Sequence, residues 1–491
     1  MSSPARSGSR WLDRVRPSRA GAGASGRDPD RPAELVRDLG AWGTASVVVG
    51  VIIGTGIYLI PSEMARVAGS LELVLGAWLV AGILSLLGAL TYAELASALP
   101  ESGGDYVYLR RAFGPLWGFL YGWRGILVSM PASLAAYGAG IMLFASYLWP
   151  AAATPIGGWD FPVPFREAPA RFELRWSQLM AAGIIIIVAA INYLRVRHVG
   201  RLQIVLTAIK TLGLAGVIGV GLWSVLAGPG PAAGAESPVE VTVRAPGVGG
   251  FLAAVTAALW AFSGWQQVVR LGGEVRNPGR SFPRAIIGGF LFTAGLFMAA
   301  NLAYFAVLSF QEVAGSRHVA TDMLQRAVGS NVAGWFTLLM IVSVLGTMNA
   351  NILSASRIPY ALARDGLFFS GLARVHPERR VPGAAVTLTS AMGVVLVLTG
   401  GFEDMAALSV FASWTFYALS AAALFRLRRM EPDLPRPYRA WGYPVVPALF
   451  CGLAALLAVS IFIQRPGRSG IGLAVVMLGI PMYHYWSRRR S

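Results

Sequence analysis

Gly50-Val51-Ile52-Ile53-Gly54-Thr55-Gly56-Ile57 interrupts a long apolar run with glycines and a threonine. A counterpart, Trp260-Ala261-Phe262-Ser263-Gly264-Trp265, lies near the same point of the next half of the chain. A continuous helix satisfies its own backbone, whereas a helix interrupted in hydrocarbon leaves N–H and C=O groups unpaired. Each costs several kcal/mol unless protein or ligand covers it. Breaks at corresponding places therefore predict that something is held between them. The plainer reading is that the glycines only let helices pack closely, as small residues do in membranes. It serves well for one break and less well for a matched pair.

The residues at the breaks suggest what is held. Thr55 is a good N-cap residue, its hydroxyl able to accept from an N–H two or three residues on, and Gly54 and Gly56 let backbone approach a ligand. The half-helix from about Ile57 then offers a positive dipole end, for which a carboxylate is the natural guest. The preceding half-helix ends near Ile52 and Ile53 with free carbonyls, and the second break near Trp260, Ala261 and Ser263 should supply more, with Phe262 and Gly264 also counted in the candidate site. Carbonyls suit an ammonium group. Two crossed broken helices can thus read the zwitterion of an α-amino acid with main chain alone, leaving its side chain to a separate pocket.

Composition places these breaks in a membrane. The chain is 55% hydrophobic and only 13% charged over 491 residues, with a mean hydropathy of +0.58, too apolar for an ordinary soluble protein. The formal charge of +17 is carried almost wholly by arginine, Lys210 being the sole lysine. No basic groove with interleaved aromatics accompanies it, which argues against nucleic acid. Cys451 has no partner cysteine, so there is no intrachain disulfide framework.

Residues 1–40 are polar, lack the apolar core of a signal peptide and read as a disordered cytoplasmic tail. About twelve spans follow by the criterion of some 20 apolar residues. They start near Thr44, Leu73, Leu116, Ser177, Gln203, Gly249, Ala285, Val332, Ala384, Met405, Val446 and Gly470. The arginines alternate with them. Arg6 to Arg37, Arg110 and Arg111, Arg195 to Arg201, Arg276 to Arg284, Arg374 to Arg380, Arg426 to Arg439 and Arg488 to Arg490 all fall on one side, which the positive-inside rule makes cytoplasmic, with both termini there. The fold class is therefore an all-α integral membrane protein of the cell membrane, most simply a bacterial cytoplasmic membrane.

From about Leu39 to Phe450 the chain resembles the L-type amino acid transporter branch of the amino acid–polyamine–organocation superfamily. The resemblance rests on Gly50 to Ile57, Tyr92-Ala93-Glu94-Leu95 with Pro100 to Tyr106, Phe262-Ser263-Gly264-Trp265 with Gly273 to Pro278, Asn349 to Arg357 leading into Arg364-Asp365-Gly366, and Arg426 to Pro437. It implies a 5+5 inverted repeat with spans one and six broken, followed by two extra spans. On that plan 41–228 is the first repeat, 229–427 the second and 428–491 the extra pair. Trp260 takes the place of the aromatic gate over bound substrate, and Asn349 matches a family asparagine. Animal members link to a heavy chain through a cysteine after the third span. The stretch from Ala151 to Trp176 has none, so a chain working without such a partner is expected.

Lys210 is the most pointed single residue, an ammonium well inside the fifth span. By the resemblance it replaces a bound sodium ion and ties the first span to the eighth; alternatively it loads and releases a proton. Either role argues against sodium coupling. Asn349, like Asn351, Ser354 and Ser356, either lines the pocket or hydrogen-bonds between helices. Arg124 and Arg270 read as structural gates that reach the interface or pair with Glu274 or Glu94.

A cationic side chain would want a carboxylate facing the pocket, and none lies in the middle of spans three, six, eight or ten. A neutral, largely apolar pocket lined by Trp260, Phe262 and Tyr417 favours neutral amino acids. A cationic amino acid or polyamine carrier of the same superfamily, or a non-transporting sensor, is the alternative. His198, His318, His376 and His484 are scattered and no acid pair converges, so neither an enzyme, a metal site nor a cofactor is expected. The reading is alternating access at the midplane, as exchanger or proton symporter.

Overall fold

The computed structural model describes residues 33–161, 170–227, 243–329, 332–400, 402–464 and 466–489. Most of the tail and much of the connection from Ala227 to Pro246 lie outside the described residues. The first apolar run forms α1 (Ala41–Ile52) and α2 (Gly56–Ala68), separated at the glycines. Next come α3 (Leu71–Ala98), α4 (Asp105–Phe113), and α5 (Pro115–Arg124), which runs through a π turn into α6 (Met130–Leu148). After a hairpin of β1 (Pro155–Phe161) and β2 (Ala170–Arg175) come α7 (Trp176–Ile191) and α8 (Val196–Leu226).

The second half opens on α9 (Val248–Ala261) and a 3-10 turn over Trp265–Arg270, again parted at the glycine break. It continues with α10 (Pro278–Pro283) leading into α11 (Gly289–Val307), two short helices α12 (Phe310–Gly315) and α13 (Val319–Val328), α14 (Val332–Ala355), α15 (Arg357–Arg364), α16 (Gly383–Thr399) and α17 (Phe402–Met430). Two further helices close the chain, α18 (Val445–Gln464) and α19 (Pro466–Arg489).

Taken as paths through a membrane these make twelve, with the first and sixth broken. Eight are long and apolar enough to cross by length and composition; α7 and α16 are shorter apolar helices, and α17 and α19 complete the set. Each expected start falls within or at the edge of one of these paths. Among the described residues the hairpin departs from an all-α reading: its strands pair antiparallel, with Trp159 the register partner of Phe172, a pairing the composition of that connection hid.

The connections rich in arginine meet at one end. Arg111 forms a bidentate pair with Glu431 at 2.7 and 2.6 Å, Arg195 donates to the Glu378 carbonyl at 3.1 Å, and Arg110 bonds to Asp365. Glu94 takes both nitrogens of Arg428 at 2.8 and 2.6 Å. The entry to α1 is clamped there too. Leu39, fully buried, donates to the Glu274 carbonyl and accepts from Arg276, each at 2.9 Å. Packing at this end thus includes Leu39, within the stretch read from its polarity as a tail.

Candidate functional site

At the first break the chain leaves the helix at Ile53, whose ψ of 83° is not helical, and re-enters it at Gly56. Thr55 stands at the N-cap position of α2, but its hydroxyl makes no capping bond. That corrects the expected cap. The consequence suits a ligand: among the described residues the N–H groups of Thr55, Gly56 and Ile57 take no acceptor, so the half-helix presents them together with its dipole.

At the second break Ser263 donates to the Trp260 carbonyl at 3.0 Å, and Gly264 follows with φ of +113°. The left-handed region favours glycine there. The carbonyls of Ala261, Phe262 and Ser263 receive no backbone donor among the described residues. Each break presses a glycine on the opposite helix: a Cβ on Gly56 would sit 3.0 Å from Ala261 Cα, and one on Gly264 would sit 2.3 Å from Val51 Cγ1. Close packing and exposed main-chain ends are therefore one device. The crossing needs the glycines, and the crossing puts free N–H groups beside free carbonyls.

The side chains sort themselves around that crossing. Trp260 is 49% exposed and Ser263 is exposed, while Thr55 is half-buried. Gly140 on α6 approaches Thr55, and Thr347 on α14 approaches Gly54, with the nearest atom 3.6 Å from a Cβ there. Phe262 does not line this space. Its ring is buried, edge-on to Trp78 at 5.2 Å and stacked on Phe297 at 5.5 Å, so it fastens the end of α9 to α3 and α11. Tyr417 is drawn away as well, its hydroxyl bonded to the Gln266 amide.

Lys210 is fully buried and its ammonium donates to three oxygens: the carbonyls of Gly50 at 2.7 Å and Ile53 at 2.8 Å, and Thr347 Oγ1 at 2.9 Å. Three donors meet three acceptors. The Ile53 carbonyl, expected to face a substrate ammonium, is thereby engaged from the other side, and that of Ile52 accepts from Gly54 at 2.8 Å. The ammonium-facing carbonyls are left to the second break.

Lys210 ends a polar stripe. Gln203, Thr207 and Lys210 lie on one face of α8 and reach the carbonyls of Ser46, Gly50 and Ile53 on one face of α1. Asn349 belongs to the same network. Its amide donates to Gln203 Oε1 at 2.8 Å and its oxygen accepts from Asn192 at 2.9 Å. Of the two roles open to it, Asn349 takes the interhelical one. Asn351 and Ser354 both donate to Gln267 Oε1, at 3.1 and 3.3 Å, and the Tyr137 hydroxyl lies within reach of Gln267 and Asn351. Tyr137 and Gln267 were not singled out from the sequence, since neither type is unusual in a span.

Arg124 and Arg270 do not pair with Glu94 or Glu274. Glu274 is bidentate with the fully buried Arg357, at 2.7 and 2.9 Å. Arg124 donates to Ser413 Oγ at 2.9 Å, and Arg270 to the Tyr121 hydroxyl at 3.4 Å. Among the described residues no cluster of histidine, cysteine or carboxylate could hold a metal.

A family profile described as amino acid permease matches residues 39–483. Similar proteins include the serine/threonine exchanger SteT of Bacillus subtilis, 28% identical over 460 residues that cover 93% of this chain and 98% of that protein. The human large neutral amino acids transporter small subunit 2 is 30% identical over 98% of this chain and 88% of its own length. The mouse Asc-type amino acid transporter 1 is 30% identical over 91% and 81%.

Proposed function

Since the chain belongs to the amino acid permease family, we propose that this multi-pass membrane protein is a sodium-independent secondary transporter of neutral α-amino acids. It is not an enzyme. The observation that carries the reading is the crossing of the two breaks, where unpaired N–H groups at Thr55 to Ile57 stand beside unpaired carbonyls at Ala261 to Ser263. A carboxylate and an ammonium on one carbon match that pair of ends.

Lys210 supports the sodium-free part. Its charge occupies the point between the first and eighth paths that a cation would need, and its three oxygens are used. A carrier must also open to each side in turn. Trp260, half exposed at the edge of the crossing, is the group we assign to cover bound substrate, and rocking of paths one, two, six and seven against three, four, eight and nine would alternate access. The arginine-rich end we assign to the cytoplasm. With Cys451 the only cysteine and its thiol directed to the Ala418 carbonyl inside the bundle, the chain would work without a disulfide-linked heavy chain.

Uptake of labelled amino acids into proteoliposomes tests this, with internal amino acid, proton gradient and sodium varied separately. Neutral substrates that move without sodium, accelerated by internal amino acid, establish exchange; acceleration by an inward proton gradient establishes symport. Transport of arginine or a polyamine with no competition from neutral amino acids would overturn the pocket argument.

A further inference from the structure

Two guanidiniums, that of Arg124 buried and that of Arg270 partly so, lie near the second break. Gln266 links them to it, accepting from the Gly264 N–H at 3.1 Å and bonding through its amide to Tyr417. Beside Tyr417 on α17, Arg124 reaches Ser413 and lies 5.5 and 5.3 Å from the ring centres of Tyr121 and Phe416. Arg270 holds the Tyr121 hydroxyl. Arg124 is only 4% exposed, and the Nε–H groups of both arginines are buried with no acceptor.

Charge in this neighbourhood does not balance. Among the described residues the nearby carboxylate is Asp105, which already accepts from Tyr92 at 2.5 Å, Ser420 at 2.8 Å and Tyr121 at 3.1 Å and forms no ion pair with either arginine. Two cations and one anion remain, in a region where an uncompensated buried charge is costly. Unpaired guanidinium N–H groups beside a binding site are suited to a carboxylate.

We propose that Arg124 and Arg270 form the anion-recognising end of the side-chain pocket, so that the protein accepts α-amino acids whose side chain ends in a carboxylate and rejects cationic ones. The inference rests on the crossing holding the α-amino and α-carboxyl groups, and it extends the substrate range beyond neutral side chains.

The test compares isosteres. In proteoliposomes loaded with a transported neutral amino acid, glutamate and glutamine compete for labelled uptake, with lysine as a third competitor. Glutamate should compete about as well as glutamine or better, and lysine should not compete. Arg124→Gln and Arg270→Gln should each raise the half-inhibitory concentration of glutamate relative to glutamine by roughly tenfold, as loss of one charge-assisted contact implies. Arg124→Lys should restore most of that ratio. Because the readout is a ratio, general loss of protein does not move it, and the wild-type comparison needs no variant. Glutamine competing while glutamate does not overturns the inference and leaves the transport reading intact. So does a glutamate ratio that responds only to replacing chloride by gluconate, which would make the bound anion inorganic. Failure of every amino acid to move or compete overturns both.

Discussion

The Lys210 ammonium donates to the Ile53 carbonyl at 2.8 Å, so the residue that caps the first half-helix is held by a fixed charge projecting from α8. Helix C-termini favour cations, and here the cation is covalently part of the protein. Its partners Gly50, Ile53 and Thr347 come from α1 and α14, which makes the contact a rivet between two helices as well as the completion of a broken one. Gly50 allows it: a Cβ there would sit 2.3 Å from Gln203 Nε2 and 2.5 Å from Thr207 Oγ1.

Replacing Lys210 with methionine keeps the stem and takes the charged donor from three acceptors, leaving the Gly50 and Ile53 carbonyls only the hydroxyls of Thr347 and Ser343, a loss of about 1–3 kcal/mol. Uptake should fall by roughly tenfold or more, and the purified protein should melt earlier. Wild-type uptake should be the same in sodium and choline buffers. Full activity in Lys210→Met would remove the rivet from the account.

Gly54 and Gly264 flank the same crossing but differ in what alanine would meet. Gly264 combines φ of +113° with a Cβ position 2.3 Å from Val51 Cγ1, whereas the nearest atom to a Cβ on Gly54 is 3.6 Å away. Gly264→Ala should destabilise by about 1–3 kcal/mol from backbone strain, with further loss from the clash. Gly54→Ala should keep the melting temperature within a few degrees and act on substrate affinity, since its methyl enters the space beside Thr347. Scanning calorimetry or thermal fluorescence separates the two. Equal melting temperatures would show that the left-handed glycine is not required.

The breaks were legible because glycine inside an apolar run is a local signal, and Lys210 because its ammonium lies too deep in a span for simple snorkelling to the interface. What each side chain at the breaks does was less so. Phe262 and Trp260 are both large aromatics two residues apart, yet one is packed against Trp78 and Phe297 and the other is half exposed. Which way each points depends on how α9 ends, a matter of tertiary packing. The partners of Glu274 and Glu94 were missed for a related reason. Arg357 and Arg428 lie 83 and 334 residues away in sequence, and only the gathering of the arginine-rich connections brings them in. The stripe of Gln203, Thr207 and Lys210 was readable, since i, i+4, i+7 spacing defines one helix face.

The Glu274–Arg357 pair closes the arginine-rich end. Both side chains are fully buried and the contact is bidentate, while the Glu274 carbonyl also anchors Leu39 ahead of α1. Glu274→Ala should cost about 3–5 kcal/mol by stranding a buried guanidinium. Adding Arg357→Met should recover part of it, because the stranded charge is gone. Urea or thermal unfolding in detergent reads both. A double variant no better than Glu274→Ala would mean that the loss came from packing around the side chain and not from a stranded charge.

Asn349 offers a sharper separation of stability from recognition. Its amide joins Asn192 on α7 to Gln203 on α8, and Gln203 in turn approaches the Ser46 carbonyl on α1. Asn349→Ala takes one hydrogen-bond partner from each of two buried amides, Asn192 and Gln203, so it should lower stability by about 1–3 kcal/mol. Recognition should hardly change. In competition assays the ranking of small against bulky neutral amino acids should stay that of the wild type, because the removed group lies in the bundle and not in the pocket. Gln267, bonded to Asn351 and Ser354 one turn beyond the second break, is the control: Gln267→Ala should alter that ranking. If Asn349→Ala reorders the substrates while the melting temperature holds, the asparagine faces the ligand after all.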